Sequence, residues 1–394
     1  MNVILFDKNS SNYYPLSFTR PIAYFRVGIC TIKEKWEKYY KSVSVKTEDY
    51  LLAKFPLKVQ KDNLWIDARI LPSQVLTIEL NSLRVGEALA KNGKIVAFRN
   101  STFNTKKLNV IDSNTTFSTI ENLCDIFSLN GEEIKNDFDR MFPSKKLKWQ
   151  GPVEKLEQIK TSNIKIGNHP IWIDEGAKLQ HCILNTTDGP IYIGKDAEIM
   201  EGSMVRGPFA MLNNSVLKMG SKIYGATTLG PYCKVGGEIN NAVFFGYSSK
   251  AHDGFLGNSV IGEWCNLGAD TNNSNLKNNY AQVKLWNYET ESFKNTDLQF
   301  CGLIMGDHSK CGINTMFNTG TVVGVSTNIF GSGFPRNFIP SFSWGGSSGF
   351  SVYKLPKVFD VVEKVFARRK IKFDKSEKDI LEHVYDMTKR YRNE

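Results

Sequence analysis

Four polar side chains in one short stretch have the types and spacing of a reaction centre. Residues 237–275 read GEINNAVFFGYSSKAHDGFLGNSVIGEWCNLGADTNNSN, and within them Glu238, His252 and Asn266 fall at equal intervals of fourteen residues. Asn275 follows nine residues after Asn266. An imidazole titrates near neutrality, so His252 is suited to accept a proton from an attacking nucleophile. A carboxylate beside it can orient a substrate or hold the imidazolium. The amides of Asn266 and Asn275 can donate to and accept from hydroxyl groups. His169, His181, His308 and His383 lack such company and read as structural.

The surrounding sequence indicates what holds these residues together. From Ile164 short strands recur, each ending in a Gly, Asn or Asp turn: Ile164-Lys165-Ile166-Gly167, Ile191-Tyr192-Ile193-Gly194, Val260-Ile261-Gly262, Val322-Val323-Gly324. The aliphatic positions return about every six residues, the period of a three-sided β-helix with about eighteen residues per coil. Intervals of fourteen fall a little short of one coil, so Glu238, His252 and Asn266 should lie on successive coils near one edge of the prism. Residues 276–298 interrupt the repeat and should loop out as an arm. Residues 356–368 and 375–391 have helical periodicity and should cap the open end of the last coil.

Before the repeat the texture is α/β. Residues 2–6 and 94–98 read as strands, 32–40 as a helix capped by Thr31, and 120–141 as helical but broken near Leu129-Asn130-Gly131. The organisation expected is an α/β domain over 1–145, a linker over 146–161, a left-handed parallel β-helix over 162–345 and a C-terminal helical cap over 346–394.

Composition narrows the function classes. A net charge of +10 fits a lysine-rich surface or an affinity for anionic ligands such as coenzyme A, sugar phosphates or nucleotides. The basic residues are dispersed and no nucleic-acid motif accompanies them, so nucleic acid is not an expected partner. No apolar run is long enough to span a membrane. Seven cysteines with no C-x-x-C pair, and an N-terminus without the features of a signal peptide, point to reduced thiols in the cytoplasm.

The stretch around His252 resembles the acetyltransferase domain of bifunctional UDP-N-acetylglucosamine pyrophosphorylase/glucosamine-1-phosphate N-acetyltransferases. That family carries K-A-G-H-L-T-Y-L-G-D, then N-I-G-A-G-T and C-N-Y-D-G. Here Lys250-Ala251-His252-Asp253-Gly254-Phe255-Leu256-Gly257-Asn258 is followed by Asn266-Leu267-Gly268-Ala269-Asp270-Thr271 and Ser274-Asn275. The resemblance implies that His252 is the catalytic base, that Asn266 and Asn275 bind the acceptor, that Glu238 is an acceptor-binding carboxylate, and that the backbone at Ala269 touches coenzyme A. It implies acetyl-CoA as co-substrate, an amino sugar as acceptor and a homotrimer. An amine attacks a thioester only as the free base, which is the step a histidine serves. Two substrate positions depart from the family: Phe255 replaces its phosphate-binding tyrosine, and Asn240 replaces a lysine. No arginine stands at the expected place; Arg206, Lys222 and Lys250 are the cations nearby.

The N-terminal half is similar to the start of sugar nucleotidyltransferases. Pro15-Leu16-Ser17-Phe18-Thr19-Arg20-Pro21 and Arg26-Val27-Gly28 match their P-L-T-x-x-R-P and V-G turns, and the closest pattern is a shortened variant of that domain. The resemblance offers Arg20 and Arg26 as phosphate ligands and Asp7 and Asp67 as magnesium ligands, magnesium being required only if this domain is active. The G-x-G-T-R phosphate loop is missing: Phe6-Asp7-Lys8-Asn9-Ser10-Ser11-Asn12 has no glycine. The leading reading is therefore an acetyl-CoA-dependent N-acetyltransferase with a reduced nucleotidyltransferase-like domain. The alternatives are a sugar-1-phosphate nucleotidyltransferase, making UDP- or dTDP-sugars and using the β-helix to oligomerise, and a non-catalytic β-helix scaffold.

Overall fold

The computed structural model describes residues 1–142, 149–152, 154 and 156–392. Of the predicted linker, residues 146–148, 153 and 155 lie outside the described residues.

β1 (Asn2–Phe6) is buried along its whole length, as its apolar sequence requires. It pairs in parallel with β2 (Ser42–Lys46) and β3 (Asn63–Asp67). β4 (Glu87–Lys91), β5 (Lys94–Asn100) and β6 (Asn109–Asp112) extend the sheet in the order β2-β1-β3-β5-β4-β6, with β5 antiparallel to β3 and β4. α1 (Ile32–Glu37) begins at Thr31, whose hydroxyl accepts from the Glu34 amide while Glu34 accepts from the Thr31 amide. α2 (Gln74–Ser82) follows β3. The helical stretch before residue 142 is α3 (Asp125–Ser128) and α4 (Asn130–Met141), divided at Leu129.

The chain next winds into a parallel β-helix. Its first strand is Trp149–Gln150, and α5 (Leu156–Ser162) covers the last residues of the predicted linker. Lys234 pairs with Ser249 and Ser249 with Asn266, so these coils take fifteen and seventeen residues (249 − 234 and 266 − 249). Aliphatic side chains such as Ile239, Leu256, Val235 and Leu267 fill the prism in one continuous cluster. That burial, at about 25 cal/mol per Å² of apolar surface, is what stacks strands only two or three residues long.

The three faces of the prism differ. The first contains Ile191–Ile193, Phe209–Met211 and Thr227–Leu229 and is covered by the N-terminal domain. Its outward Tyr192 and Ala210 pack with Ile29, Cys30, Ile134 and Phe138, and its outward Val243, Val260, Ile304 and Val322 join the N-terminal core. The second face, from Lys178–Leu179 to Gly349–Val352, is largely polar outside. The third runs through Ile164–Ile166, Ile183–Asn185, Met204–Arg206 and Lys222–Tyr224 into the first residues of Glu238–Gly246 and Phe255–Glu263.

Two segments differ from expectation. The interruption at 276–298 is a hairpin, Lys284–Asn287 against Ser292–Asn295, that does not project as a free arm. Its Tyr288 meets Tyr14, Phe18, Phe338 and Tyr391 edge-on, so it clasps the N-terminal domain to the β-helix. The C-terminal helices, α6 (Leu355–Ala367) and α7 (Lys375–Met387), are not confined to the end of the prism: Tyr385 of α7 packs on Phe342 of the last coil, while α6 lies back along the side of the prism. Phe366 of α6 packs on Trp264 and His308, two rungs of an aromatic stack that also holds Tyr232 and Tyr247. α7 reaches the N-terminal domain, where His383 stacks on Tyr50 and Glu377 pairs with Lys54. The last strand of the second face is closed by an antiparallel partner, Ser343–Gly346 with Gly349–Val352. Among the described residues no helix is long and apolar enough to cross a membrane, and all seven cysteines are buried free thiols.

Candidate active site on the edge of the β-helix

His252 lies in the corner between the second and third faces and is exposed. Its turn, residues 251–254, lies tightly on the preceding corner, which has only Gly236 and Gly237. Gly237 has φ +80°, and a Cβ there would come 2.8 Å from the Gly254 carbonyl oxygen, so only glycine fits. From inside the prism, Lys250 holds the same turn. Its side chain occupies the interior position in register with Val235, and its amine donates to the His252 carbonyl at 2.9 Å and the Gly236 carbonyl at 3.3 Å. Burial pushes this amine down to about 8. Lys250 is therefore not available to a phosphate outside the prism, whereas Arg206 and Lys222 point outward on the third face and are exposed.

Register places the other predicted residues. Asp270 donates its backbone N–H to the Asp253 carbonyl at 3.0 Å, which sets Ala269 beside His252 in the next coil. Glu238 lies next to Phe255, and Asn240 next to Gly257, on paired strands of the third face. Ile239 and Leu256 point inward, so Glu238, Asn240 and Phe255 point out. The interval of fourteen steps the three residues diagonally across the edge: Glu238 on the third face, His252 at the corner, and Asn266 on the second face beside Ser249. Asn275 sits at the far side of the third face, where its Nδ2 donates to Asn258 Oδ1 at 2.8 Å. The structure thus brings His252, Glu238, Phe255, Asn240 and Ala269 to one edge, with Asn266 and Asn275 on either side. Among the described residues, the His252 imidazole, the Glu238 carboxylate and the Asn240 and Asn266 amides have no partner within the chain. A groove of about 320 Å³ continues along the third face, lined by Ile183, Met204, Arg206, Lys222 and Tyr224. A larger cavity of about 660 Å³ lies under α5 at the first coils, away from this edge.

The predicted phosphate and metal ligands of the N-terminal domain are already engaged. Arg20 is buried between Glu263, at 2.8 Å, and Asp307 of the β-helix; Thr19 also donates to Asp307. Arg26 donates to the carbonyls of Ile29 and Phe245. Gly28 packs against the backbone of α4, where a Cβ would meet Glu133 O at 2.7 Å. The segment after β1, where a phosphate loop would open, is folded into 3-10 turns whose Tyr13, Leu16, Phe18 and Ile22 are core residues. Asp7 accepts from the Thr47 hydroxyl and the Ile22 amide, and burial pushes its carboxyl up to about 7. Asp67 is held through both oxygens by Arg69. Among the described residues no three His, Cys, Asp or Glu side chains form a metal-binding group. Two carboxylates already occupied by protein donors do not fit a magnesium site, so no step is derived through that ion.

Residues 3–145 match a family model described as Sugar nucleotidyl transferase. A solved structure titled "Crystal structure of hexapeptide transferase family protein from Anaplasma phagocytophilum" is 14% identical, with 61% of this chain and 93% of that chain covered. Its TM-score is 0.11, which does not establish a common fold. No curated protein matches. The similarity to the sugar nucleotidyl transferases is confined to residues 3–145, and the edge that carries His252 lies outside it and is read from its own geometry.

Proposed function

We propose that this protein is an acetyl-CoA-dependent N-acetyltransferase acting on an amino sugar or amino-sugar phosphate, with His252 as general base. The observation that carries the reading is the exposed, unpartnered imidazole of His252, on a turn whose backbone is held by Lys250 and lies against Gly237, at an edge shared with the free Glu238 carboxylate and Ala269. The acceptor's amine attacks the thioester carbonyl, forming the C–N bond. His252 takes the proton released from nitrogen; the C–S bond then breaks, and the thiolate leaves and is protonated. Glu238 and Asn240 orient the acceptor, Asn266 and Asn275 bind its hydroxyls, and the backbone at Ala269 receives the acyl donor. Release of free thiol from acetyl-CoA across a panel of amino sugars tests this. Activity with at least one acceptor is expected, and no release with any, together with no binding of coenzyme A, would favour a scaffold.

The acyl donor has a long flexible arm that a single flat face cannot enclose. With the first face covered and the second largely polar, the third exposes Ile164, Ile166, Met204 and Tyr224. Closure of this face against further copies gives a homotrimer with the site in the cleft. Sedimentation equilibrium should return a trimer mass; a monomer at micromolar concentration with acetyl transfer intact contradicts it.

The family match over residues 3–145 favours one second reading, nucleotidyl transfer by the N-terminal domain. The engagement of Arg20, Arg26, Asp7 and Asp67 argues against it. Calorimetry with UTP or dTTP and magnesium should show weak binding or none. Tight binding, or pyrophosphate release with a sugar 1-phosphate, would establish the second reading.

A further inference from the structure

An aromatic ring on the outer face of a β-helix needs an explanation. Phe255 points outward, is only half-buried, and belongs to none of the hydrophobic clusters of the protein. Its ring does not project into solvent. The ring's far edge lies where a side chain of Gly257 would stand: a Cβ on Gly257 would come 2.6 Å from Phe255 Cζ and 2.9 Å from Cε1. The Asn275 amide nitrogen reaches the same place, 2.6 Å from that Cβ position. Gly257 has no positive φ that would demand glycine, so the missing side chain makes room for the ring and the amide. The Phe255 backbone is fixed as well, since its N–H donates to Asn272 Oδ1 at 2.8 Å.

The polar groups around the ring form a rim. Glu238 is the register neighbour of Phe255 and Asn240 that of Gly257, on the preceding strand. Asn275, bonded to Asn258, closes the far side with its amide nitrogen over Gly257, which is two residues, about 7 Å, along the strand from Phe255 at about 3.3 Å per residue. His252 lies three residues before Phe255, at the near side. An apolar floor with hydrogen-bonding groups at its border is suited to a pyranose, whose C–H face is apolar and whose edge carries hydroxyls.

We infer that Phe255, laid over Gly257, is a stacking platform for the sugar ring of the acceptor, and that the acceptor places no phosphate at this position. The inference rests on the acetyltransferase reading for its amine, but sugar binding can be measured without it. A phosphate there would lie against an aromatic ring with no donor of its own and beside the Glu238 carboxylate, both unfavourable to an anion. The amine then faces His252 and the hydroxyls face Asn240 and Asn275.

The test uses the full-length protein, with glucosamine and glucosamine 1-phosphate as probes. Saturation-transfer NMR and calorimetry without acyl donor give binding, and thiol release with acetyl-CoA gives kcat and KM. Phe255→Leu should weaken glucosamine binding at least tenfold and raise its KM by the same factor, with kcat changed less than threefold. Gly257→Ala should reproduce that loss, because its methyl displaces the ring; circular dichroism verifies that both variants are folded. Phe255→Tyr should bind glucosamine within threefold of wild type and gain no preference for the phosphate. Binding by Phe255→Leu equal to wild type overturns the platform, as does a tenfold preference for glucosamine 1-phosphate in the wild type. Phe255-dependent binding without thiol release from the wild type keeps the platform and removes the acetyltransferase reading. Thiol release with a KM indifferent to Phe255→Leu does the reverse.

Discussion

His252→Ala is expected to lower acetyl transfer by about 10²–10⁴-fold while coenzyme A binding and the fold persist. The side chain is exposed and takes part in no packing cluster, so its removal leaves no cavity. The features that shape its turn are main-chain ones, the Lys250 amine on the His252 carbonyl and the close approach to Gly237, and both survive the substitution. The loss should therefore appear in kcat, with KM for the acyl donor little changed. Asn266→Ala should behave differently, raising KM for the acceptor, because an amide can bind a hydroxyl but cannot take the proton. Steady-state thiol release for the two variants separates the roles; a His252→Ala protein with wild-type kcat contradicts the assignment.

Arg20→Met is expected to be among the most destabilising single substitutions in the chain. The Arg20 guanidinium is buried between Asp307 and Glu263, and Asp307 is itself buried. Removing the cation leaves Asp307 without a counter-charge at the junction of the two domains, and breaking a buried pair in this way costs about 3–5 kcal/mol. Urea denaturation followed by tryptophan fluorescence should show the midpoint falling accordingly. Arg20→Met combined with Asp307→Asn should recover much of the loss, since the asparagine carbonyl still accepts from the Glu263 backbone N–H and its amide nitrogen can donate to the Thr19 hydroxyl, while carrying no charge. A single-variant loss below about 1 kcal/mol would show that the pair does not clamp the domains.

The same arginine shows where the sequence stops being legible. Its motif, P-L-S-F-T-R-P, suggests a phosphate ligand, and the partners it actually has, Glu263 and Asp307, lie more than two hundred residues away. Nothing in local spacing marks that pairing. The β-helix was legible because its interior is set by a short-range pattern: Ile239 and Leu256 inward, with outward polar residues and a tight corner between strands. The burial of the first face under the N-terminal domain left a trace that spacing alone did not resolve. Val243 and Val260 are apolar although they point out of the prism, so the run Ala242-Val243-Phe244-Phe245 does not alternate, which is the pattern of a strand buried on both sides. In the candidate site, the residue types and the order along the chain were readable. The register was not: fifteen- and seventeen-residue coils, rather than eighteen, carry Glu238, His252 and Asn266 across the edge on a diagonal. Lys250 reads as a surface cation because no periodicity distinguishes a lysine turned inward to bond two carbonyls. Gly257 reads as one turn residue among many, yet its missing Cβ is what admits the Phe255 ring.

The most direct measurement of the central claim is mass-spectrometric analysis of an amino-sugar acceptor incubated with isotopically labelled acetyl-CoA and either wild-type or His252→Ala protein. The wild type should transfer the labelled acetyl group to the acceptor's nitrogen, and the His252→Ala protein should transfer it at least a hundredfold more slowly, the low end of what a general base contributes, about 10²-fold. Equal labelling by the two proteins, or no labelling by the wild type with any amino sugar at saturating acetyl-CoA, would contradict acyl transfer at the His252 edge.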